Sequence, residues 1–291
     1  SMSKSVTAAA VLQLRDAGKL SLEDPVSKHL PEFQKVQPAT PDSPTLTVRH
    51  LLRMSGGFPQ DDPWGDRKLA ETDAQLDALV ARGLTAASPT GTRWEYSNLG
   101  YALLGRIVTR VAREPYQAYI TRRILKPLGM TNTVYEWDKV PADPLALGYR
   151  WEDERWKPEP LLHDGSWGAM GGLITTLEDF ARYSAFHLDA WPPREGADTG
   201  PLKRSTRREM HRPWEVISVV QDLHDSEGHS VARVAGYSAG LSWNQDQRGL
   251  IWVRHAGGLP GFGSEFRFLP DHGIALIAFA NRTYAPMSAA N

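Results

Sequence analysis

Three short constellations combine residue types that can carry out acyl transfer: Ser1-x-x-Lys4, Tyr96-x-Asn98 and His255-x-Gly257. A hydroxyl and an amine at i and i+3 lie one turn apart on one helix face, so Lys4 can reach the Ser1 oxygen. A serine hydroxyl is a weak nucleophile until a neighbour takes its proton, and a lysine whose pKa is lowered by burial can do so. Tyr96-Ser97-Asn98 stands at a loop-to-helix junction, where a phenol and an amide can point into a cleft while the helix behind them holds position. His255-Ala256-Gly257-Gly258 follows an apolar run, and a backbone without side chains there lets a substrate lie close. Taken singly, each has a plainer reading: a helix start with a solvated lysine, an N-cap at Ser97 or Asn98, and a strand end turning through glycines.

The elements that must hold these groups are legible in outline. Val6, Ala10 and Leu14, with Val11 beside them, predict an amphipathic helix over residues 1–17, ended by Gly18. Pro25 and Pro31 break the next stretch, and residues 47–54 read as a short helix closed by Ser55-Gly56-Gly57. A polar helix is expected over 71–82. Leu99, Leu103, Ile107 and Val111 predict a helix over 98–112, and another over 116–125 is halted by Pro127 and Gly129. Residues 149–157 resemble a hairpin, and Thr176-Leu177-Glu178-Asp179 reads as a capping box opening a helix over 178–186. Residues 189–205 and the His-bearing 222–230 read as loops. Three strand-like runs close the chain, 250–254, 266–269 and 274–279, with connections short enough to require antiparallel neighbours. Helices first and a sheet last predicts α+β, not an alternating βαβ chain.

Together and in this order, the three motifs resemble those of the penicillin-recognising serine hydrolases, the group of class C β-lactamases, DD-peptidases, D-aminopeptidases and carboxylesterases. The likeness continues through Val48 to Leu52 with Ser55-Gly56, Leu99 to Gly105, Pro127 to Thr131, Gly171-Gly172-Leu173 and Leu259 to Phe262. It implies an antiparallel sheet flanked by helices plus a mainly helical lobe. Residues 1–150 would form that lobe, carrying the Ser/Lys and Tyr/Asn motifs; 151–291 would carry the sheet and the His motif, in one intertwined catalytic unit. It further implies Ser1 as the acylated nucleophile, Lys4 as the group that accepts or relays its proton, and Tyr96 as acid/base partner, held toward phenolate by the lysine charge. Asn98 would bond Lys4 and the substrate, and the N–H groups of Ser1 and Gly258 would form the oxyanion hole. Two strands precede the nucleophile helix in such enzymes. Because residue 1 opens on a helical pattern and Ala285-Pro286 reads as the start of another helix, the sequence is expected to be an excerpt.

One departure bears on substrate. Where many β-lactamases carry Lys-Thr-Gly, this chain has His255-Ala256-Gly257, which lacks both the permanent cation and the hydroxyl that hold a β-lactam carboxylate. Small esters or peptides of D-residues are therefore expected ahead of β-lactams. Ala256, Gly257, Trp94 and Trp167 are candidate substrate contacts, the last two among six tryptophans (with Trp64, Trp151, Trp156 and Trp243) that fall in or beside loops. His163-Asp164 reads first as a turn and second as a cleft edge.

Composition narrows the alternatives. The chain carries 33 Lys+Arg against 34 Asp+Glu, a formal charge of −1, with no basic run suited to nucleic acid. No Cys is present, which excludes disulfides, zinc-thiolate sites and a cysteine nucleophile. His224 and His229, near Asp222, Asp225 and Glu227, lack metal-site spacing and read as a solvated loop. No apolar run reaches the length of a membrane span, and neither a metal nor an organic cofactor is required. Two rivals remain: a catalytically silent binder of peptides or cell-wall fragments with the same fold, and an N-terminal-nucleophile hydrolase in which Lys4 and Tyr96 would be dispensable. Compartment and oligomeric state are not legible.

Overall fold

The computed structural model describes residues 1–61, 65–140, 145–224 and 227–287, and of Asp222 and Leu223 the backbone only. Its helices are α1 (Ser3–Asp16), α2 (Val26–His29), α3 (Val48–Leu52), α4 (Asp73–Ala81), α5 (Asn98–Ala112), α6 (Tyr116–Ile120), α7 (Gly168–Gly171), α8 (Leu177–Leu188) and α9 (Arg204–Met210). A hairpin pairs β1 (Tyr149–Glu152) with β2 (Arg155–Pro158). A six-stranded antiparallel sheet follows in chain order: β3 (Glu215–His224), β4 (Ser230–Tyr237), β5 (Ser242–Asp246), β6 (Ile251–Leu259), β7 (Phe262–Leu269) and β8 (Ile274–Ala280). Among the described residues every strand lies at or beyond Tyr149, as expected of α+β segregation.

Helix α1 is the centre of the molecule. The one-sided stripe that its sequence predicts does not hold: every residue from Ser3 to Leu12 is buried, so this part of the helix is enclosed on all sides. Ala8, Ala9 and Ala10 let neighbours approach closely, and its buried hydroxyls find acceptors or donors. Ser5 Oγ donates to the Met2 carbonyl (2.8 Å) and Thr7 Oγ1 to the Ala169 carbonyl (2.6 Å), while Ser3 Oγ accepts from the Leu173 N–H (3.1 Å). The C-terminus closes as a Schellman motif. Gly18, at φ 67°, donates to the Arg15 carbonyl (2.8 Å) and Lys19 to that of Leu14 (2.9 Å).

Helix α5 spans the residues its leucine stripe predicts, with Leu99, Leu103 and Ile107 in the core. It crosses α7 closely enough that a Cβ at Gly105 would stand 2.4 Å from that of Ala169. On the sheet, α8 lays Phe180 edge-on against Phe266, ring centres 5.0 Å apart. The capping box expected at its start is half made. Thr176 Oγ1 accepts from the Asp179 N–H (3.2 Å), but the Asp179 carboxylate turns to the Asn132 N–H and the Thr133 hydroxyl, both at 2.8 Å.

Three strands run where the sequence predicts them, but β3, β4 and β5 do not appear in that reading, and β3 extends through His224 and β4 starts at Ser230, inside the supposed loop 222–230. The reason is physical. Register shifts between Val216 and Ser218 and between Val220 and Leu223 break the period of two, and Val216 and Val219 on this edge strand are more than 60% exposed. Residues 204 and 205, also read as loop, begin α9. Ala285 to Met287 form no helix, and the four residues after them lie outside the described residues.

Candidate active site

Lys4, fully buried in the first turn of α1, is the hub. Its Nζ lies 2.9 Å from Ser1 Oγ, 2.7 Å from Asn98 Oδ1 and 2.8 Å from the Met170 carbonyl. The last two atoms can only accept, so they take two N–H bonds whatever the protonation state. The third direction points at the serine. A charged Lys4 donates there to Oγ; a neutral one turns its lone pair to the hydroxyl proton. The arrangement thus allows a proton to pass between Oγ and Nζ without either heavy atom moving.

Tyr96 covers this pair, its ring centre 4.9 Å from Lys4 Nζ and 6.3 Å from the His255 ring. The loop that carries it is pinned at the start of α5. Ser97 is the N-cap, its Oγ accepting from the Gly100 N–H (3.0 Å). The buried Asp61 carboxylate accepts from the N–H groups of Asn98 (2.8 Å) and Leu99 (2.7 Å), placing a negative charge at the positive end of the helix.

His255 is not at a strand end, as its glycines suggest; β6 continues to Leu259, and Gly257 and Gly258 pair with Ser264 and Gly263 of β7. Gly257 is required by proximity, since a Cβ there would stand 2.5 Å from Ser264 Oγ and 3.0 Å from the Ser1 nitrogen. The His255 ring is buried with both nitrogens engaged. Nδ1 lies 2.6 Å from the Ala256 carbonyl, which can only accept, so Nδ1 carries the hydrogen; Nε2 then accepts from the Tyr237 hydroxyl at 3.3 Å. Burial, with the Lys4 charge in addition, holds its pKa well below the ordinary histidine value. It is a neutral, fixed dipole at physiological pH and supplies no cation in place of the missing lysine.

Two cavities open from Ser1. One, of about 650 Å³, is walled chiefly by apolar side chains, with His163 and Asp164 at its margin, so that dipeptide edges the cleft. The other, of about 700 Å³, is bordered by Trp94, Tyr96, His255 and Ala256. Gly257 and Gly258 border both. Trp167 requires correction: it is wholly buried, lines neither cavity and donates through Nε1 to Glu71 (3.0 Å), so it packs beneath the site. Trp151 and Trp156 form an exposed cross-strand pair, Trp243 lies in β5, and Trp64 is outside the described residues. His229 Nδ1 lies 3.5 Å from Glu227, and Asp225 is outside the described residues.

Sequence reasoning missed Asp61, the Met170 carbonyl and Tyr237. Asp61 is 37 positions from Asn98 and belongs to no motif, and a carbonyl acceptor leaves no mark in side-chain identity.

The family model described as Beta-lactamase matches residues 1–291. Protein flp of Staphylococcus aureus (strain NCTC 8325 / PS 47) is 29% identical over 98% of this chain and 53% of its own length. Beta-lactamase-like protein 2 of Dictyostelium discoideum is 32% identical over 95% of this chain and 48% of its own, so the chain spans about half the length of these curated relatives. Among solved structures, the octameric penicillin-binding protein homologue from Pyrococcus abyssi superposes with a TM-score of 0.82 at 26% identity, covering 99% of this chain and 62% of that one. A D-stereospecific amidohydrolase from Streptomyces sp. superposes with a TM-score of 0.73 at 25% identity, covering 99% and 83%.

Proposed function

The chain belongs to the β-lactamase family, and within it we propose a serine hydrolase that cleaves a small ester or amide through an acyl-enzyme on Ser1. The observation that carries this reading is the hydrogen-bond set of Lys4, two fixed acceptors and Ser1 Oγ as the third partner. Lys4 takes the hydroxyl proton as Oγ bonds to the substrate carbonyl carbon. The resulting oxyanion is met by the N–H groups of Ser1 and Gly258, a kind of donor worth about 3 kcal/mol of barrier each. Asn98 Oδ1, accepting from Lys4 Nζ at 2.7 Å, holds the amine in place beside Ser1. As the intermediate collapses, the bond to the leaving group breaks and Tyr96 delivers the proton, replenished from Lys4. Water then attacks the acyl carbon, gives its proton back through Tyr96, and releases the acid and Ser1.

The neutral, engaged His255 argues against recognition of a substrate carboxylate at this strand, and so against efficient β-lactam hydrolysis. The amidohydrolase likeness supports D-amino-acid amides as a class to test beside esters.

The deciding experiment treats the protein with a fluorophosphonate, locates the adduct by mass spectrometry, and assays p-nitrophenyl esters, D-amino-acid amides and a chromogenic β-lactam. Labelling at Ser1, abolished in Lys4→Ala, is expected. A folded protein that takes no label and turns over none of these substrates is instead a silent binder; labelling undiminished in Lys4→Ala returns the reading to an N-terminal nucleophile.

A further inference from the structure

The turn that gives Lys4 one of its fixed acceptors is also held by a carboxyl that the proposed reaction does not use. Helix α7 presents the Met170 carbonyl to Lys4 Nζ (2.8 Å). Helix α1 grips the same turn: Thr7 Oγ1 donates to the Ala169 carbonyl (2.6 Å), and Ser3 Oγ accepts from the Leu173 N–H (3.1 Å). Asp164 lies against it as well. A Cβ added at Gly168 would stand 1.6 Å from Asp164 Oδ1, and one at Gly172 would stand 2.6 Å from it. Neither glycine has a positive φ, so both are needed for space, and their missing side chains form the seat of this carboxyl.

The seat is joined to the hydrogen bond on which α7 begins. The Gly165 carbonyl accepts from the Gly168 N–H (3.1 Å) and from the Tyr116 hydroxyl (2.8 Å), and Asp164 Oδ1 lies 3.3 Å from that same Tyr116 oxygen. Tyr116 has one hydroxyl hydrogen, and a carbonyl can only accept. A protonated Asp164 therefore completes a chain: Oδ2 accepts from Gln117 Nε2 (2.6 Å), Oδ1 donates its hydrogen to the Tyr116 oxygen, and Tyr116 donates to Gly165. An ionised Asp164 has no hydrogen to give and competes for that of Tyr116, at the expense of the carbonyl that starts α7. We infer that Asp164 is a positioning residue for acylation: its protonated form seats α7 so that the Met170 carbonyl holds Lys4 beside Ser1, and loss of its proton loosens that hold. This rests on the acyl-enzyme reading above and adds the ionic form in which the site works. The titratable groups around Asp164 are Tyr116 on α6, Tyr135 and Glu136 ahead of β1, and His163, whose Nδ1 lies 2.9 Å from Glu136. Helix α7 supplies none, and Glu71 and Asp73 accept from Trp167 Nε1 and the Ser166 hydroxyl.

Burial raises the pKa of Asp164 to about 7, which places the change within reach of a pH series. The rate at which a small fluorophosphonate labels Ser1 is measured from pH 5.5 to pH 8 in the parent and in Asp164→Asn, whose amide keeps a hydrogen at every pH. Groups common to both proteins cancel in the ratio of variant to parent. That ratio is expected to rise about tenfold across the series, since about nine-tenths of an acid with this pKa is ionised at pH 8. A carboxyl that merely fills space changes the rate by one factor at all pH values. The parent supplies an independent reading through hydrogen exchange of the segment 168–173, where protection, corrected for the intrinsic effect of pH, is expected to fall roughly fivefold over the same range. A ratio flat to within about twofold in a folded variant overturns the assignment, and so does unchanged protection in the parent, even where the variant does not fold. Absence of labelling in both proteins at every pH, with protection that falls as expected, keeps the seat of α7 and overturns the acyl-enzyme reading on which its catalytic role rests.

Discussion

Asp164 borders the apolar cavity and is the site's most exposed weakness to pH. Burial raises its pKa from 3.8 to about 7, against the opposing effect of bonds from Gln117 Nε2 (2.6 Å), the Gly165 backbone and the Tyr116 hydroxyl (3.3 Å), and with a further rise from neighbouring Glu136. His163 Nδ1 lies 2.9 Å from Glu136 Oε2, so the imidazole faces the other carboxylate of the cluster. The sign follows from proton counting. Between 3.8 and about 7 the unfolded chain has lost this proton and the folded chain keeps it, so stability is fully present below 3.8 and lost as pH rises toward 7. From pH 5 to pH 8 the titration spans about 2 units, or about 3 kcal/mol at 1.36 kcal/mol each. Asp164→Asn imitates the protonated acid and removes the titration. Urea unfolding of both proteins at pH 5 and pH 8 isolates this group, because all other titrations cancel in the double difference. The variant should gain about 3 kcal/mol on the parent between the two pH values, or roughly 6–12 °C in Tm. Parallel pH profiles, agreeing within 0.5 kcal/mol, would refute the argument.

Removing Asp61 should act on activity through the loop it pins. Asp61→Ala leaves the buried N–H groups of Asn98 and Leu99 without their acceptor, at about 1–3 kcal/mol each, and should lower kcat at temperatures where circular dichroism still reports a folded protein; Asp61→Asn should recover part of it. Acid should destabilise the fold by a separate route. Burial, the largest cause for each, lowers the pKa of His50 to about 4 and of His187 to about 3, and of His211 and His255 well below normal. These bases bind protons only on unfolding, so the stability they confer is present above pH 6.5 and lost as pH falls below it, measurable as a falling urea midpoint from pH 7 to pH 5. Gly257→Ala should displace β6 from Ser1, lowering the acylation rate at least tenfold in stopped-flow assays while the variant still unfolds cooperatively.

Where local pattern and tertiary role agree, the sequence was readable. The leucine stripe marks α5 to its end residues, and Gly18 marks the stop of α1 because only a residue tolerant of positive φ closes that motif without strain. Legibility failed where tertiary context overrode pattern. Small residues conceal how deeply α1 is buried, and two register shifts erase the alternation of β3. The serine, lysine, tyrosine, asparagine and histidine brought together around Lys4 are all legible as residue types. Their supports are not: the Met170 carbonyl belongs to the backbone, and Asp61 acts on amides that every residue possesses. Trp167 shows the converse error, in which a large aromatic beside glycines suggests a surface and is instead fully enclosed.

Lys4 draws its partners from three distant stretches: Ser1 beside it, Asn98 at the head of α5, and Met170 within α7. A constellation gathered in this way has no fragment that could function alone. Any excursion that parts α5 or α7 from α1 dissolves the proton path at once, so catalysis should vanish in step with tertiary structure, and residual turnover can serve as a direct count of intact molecules.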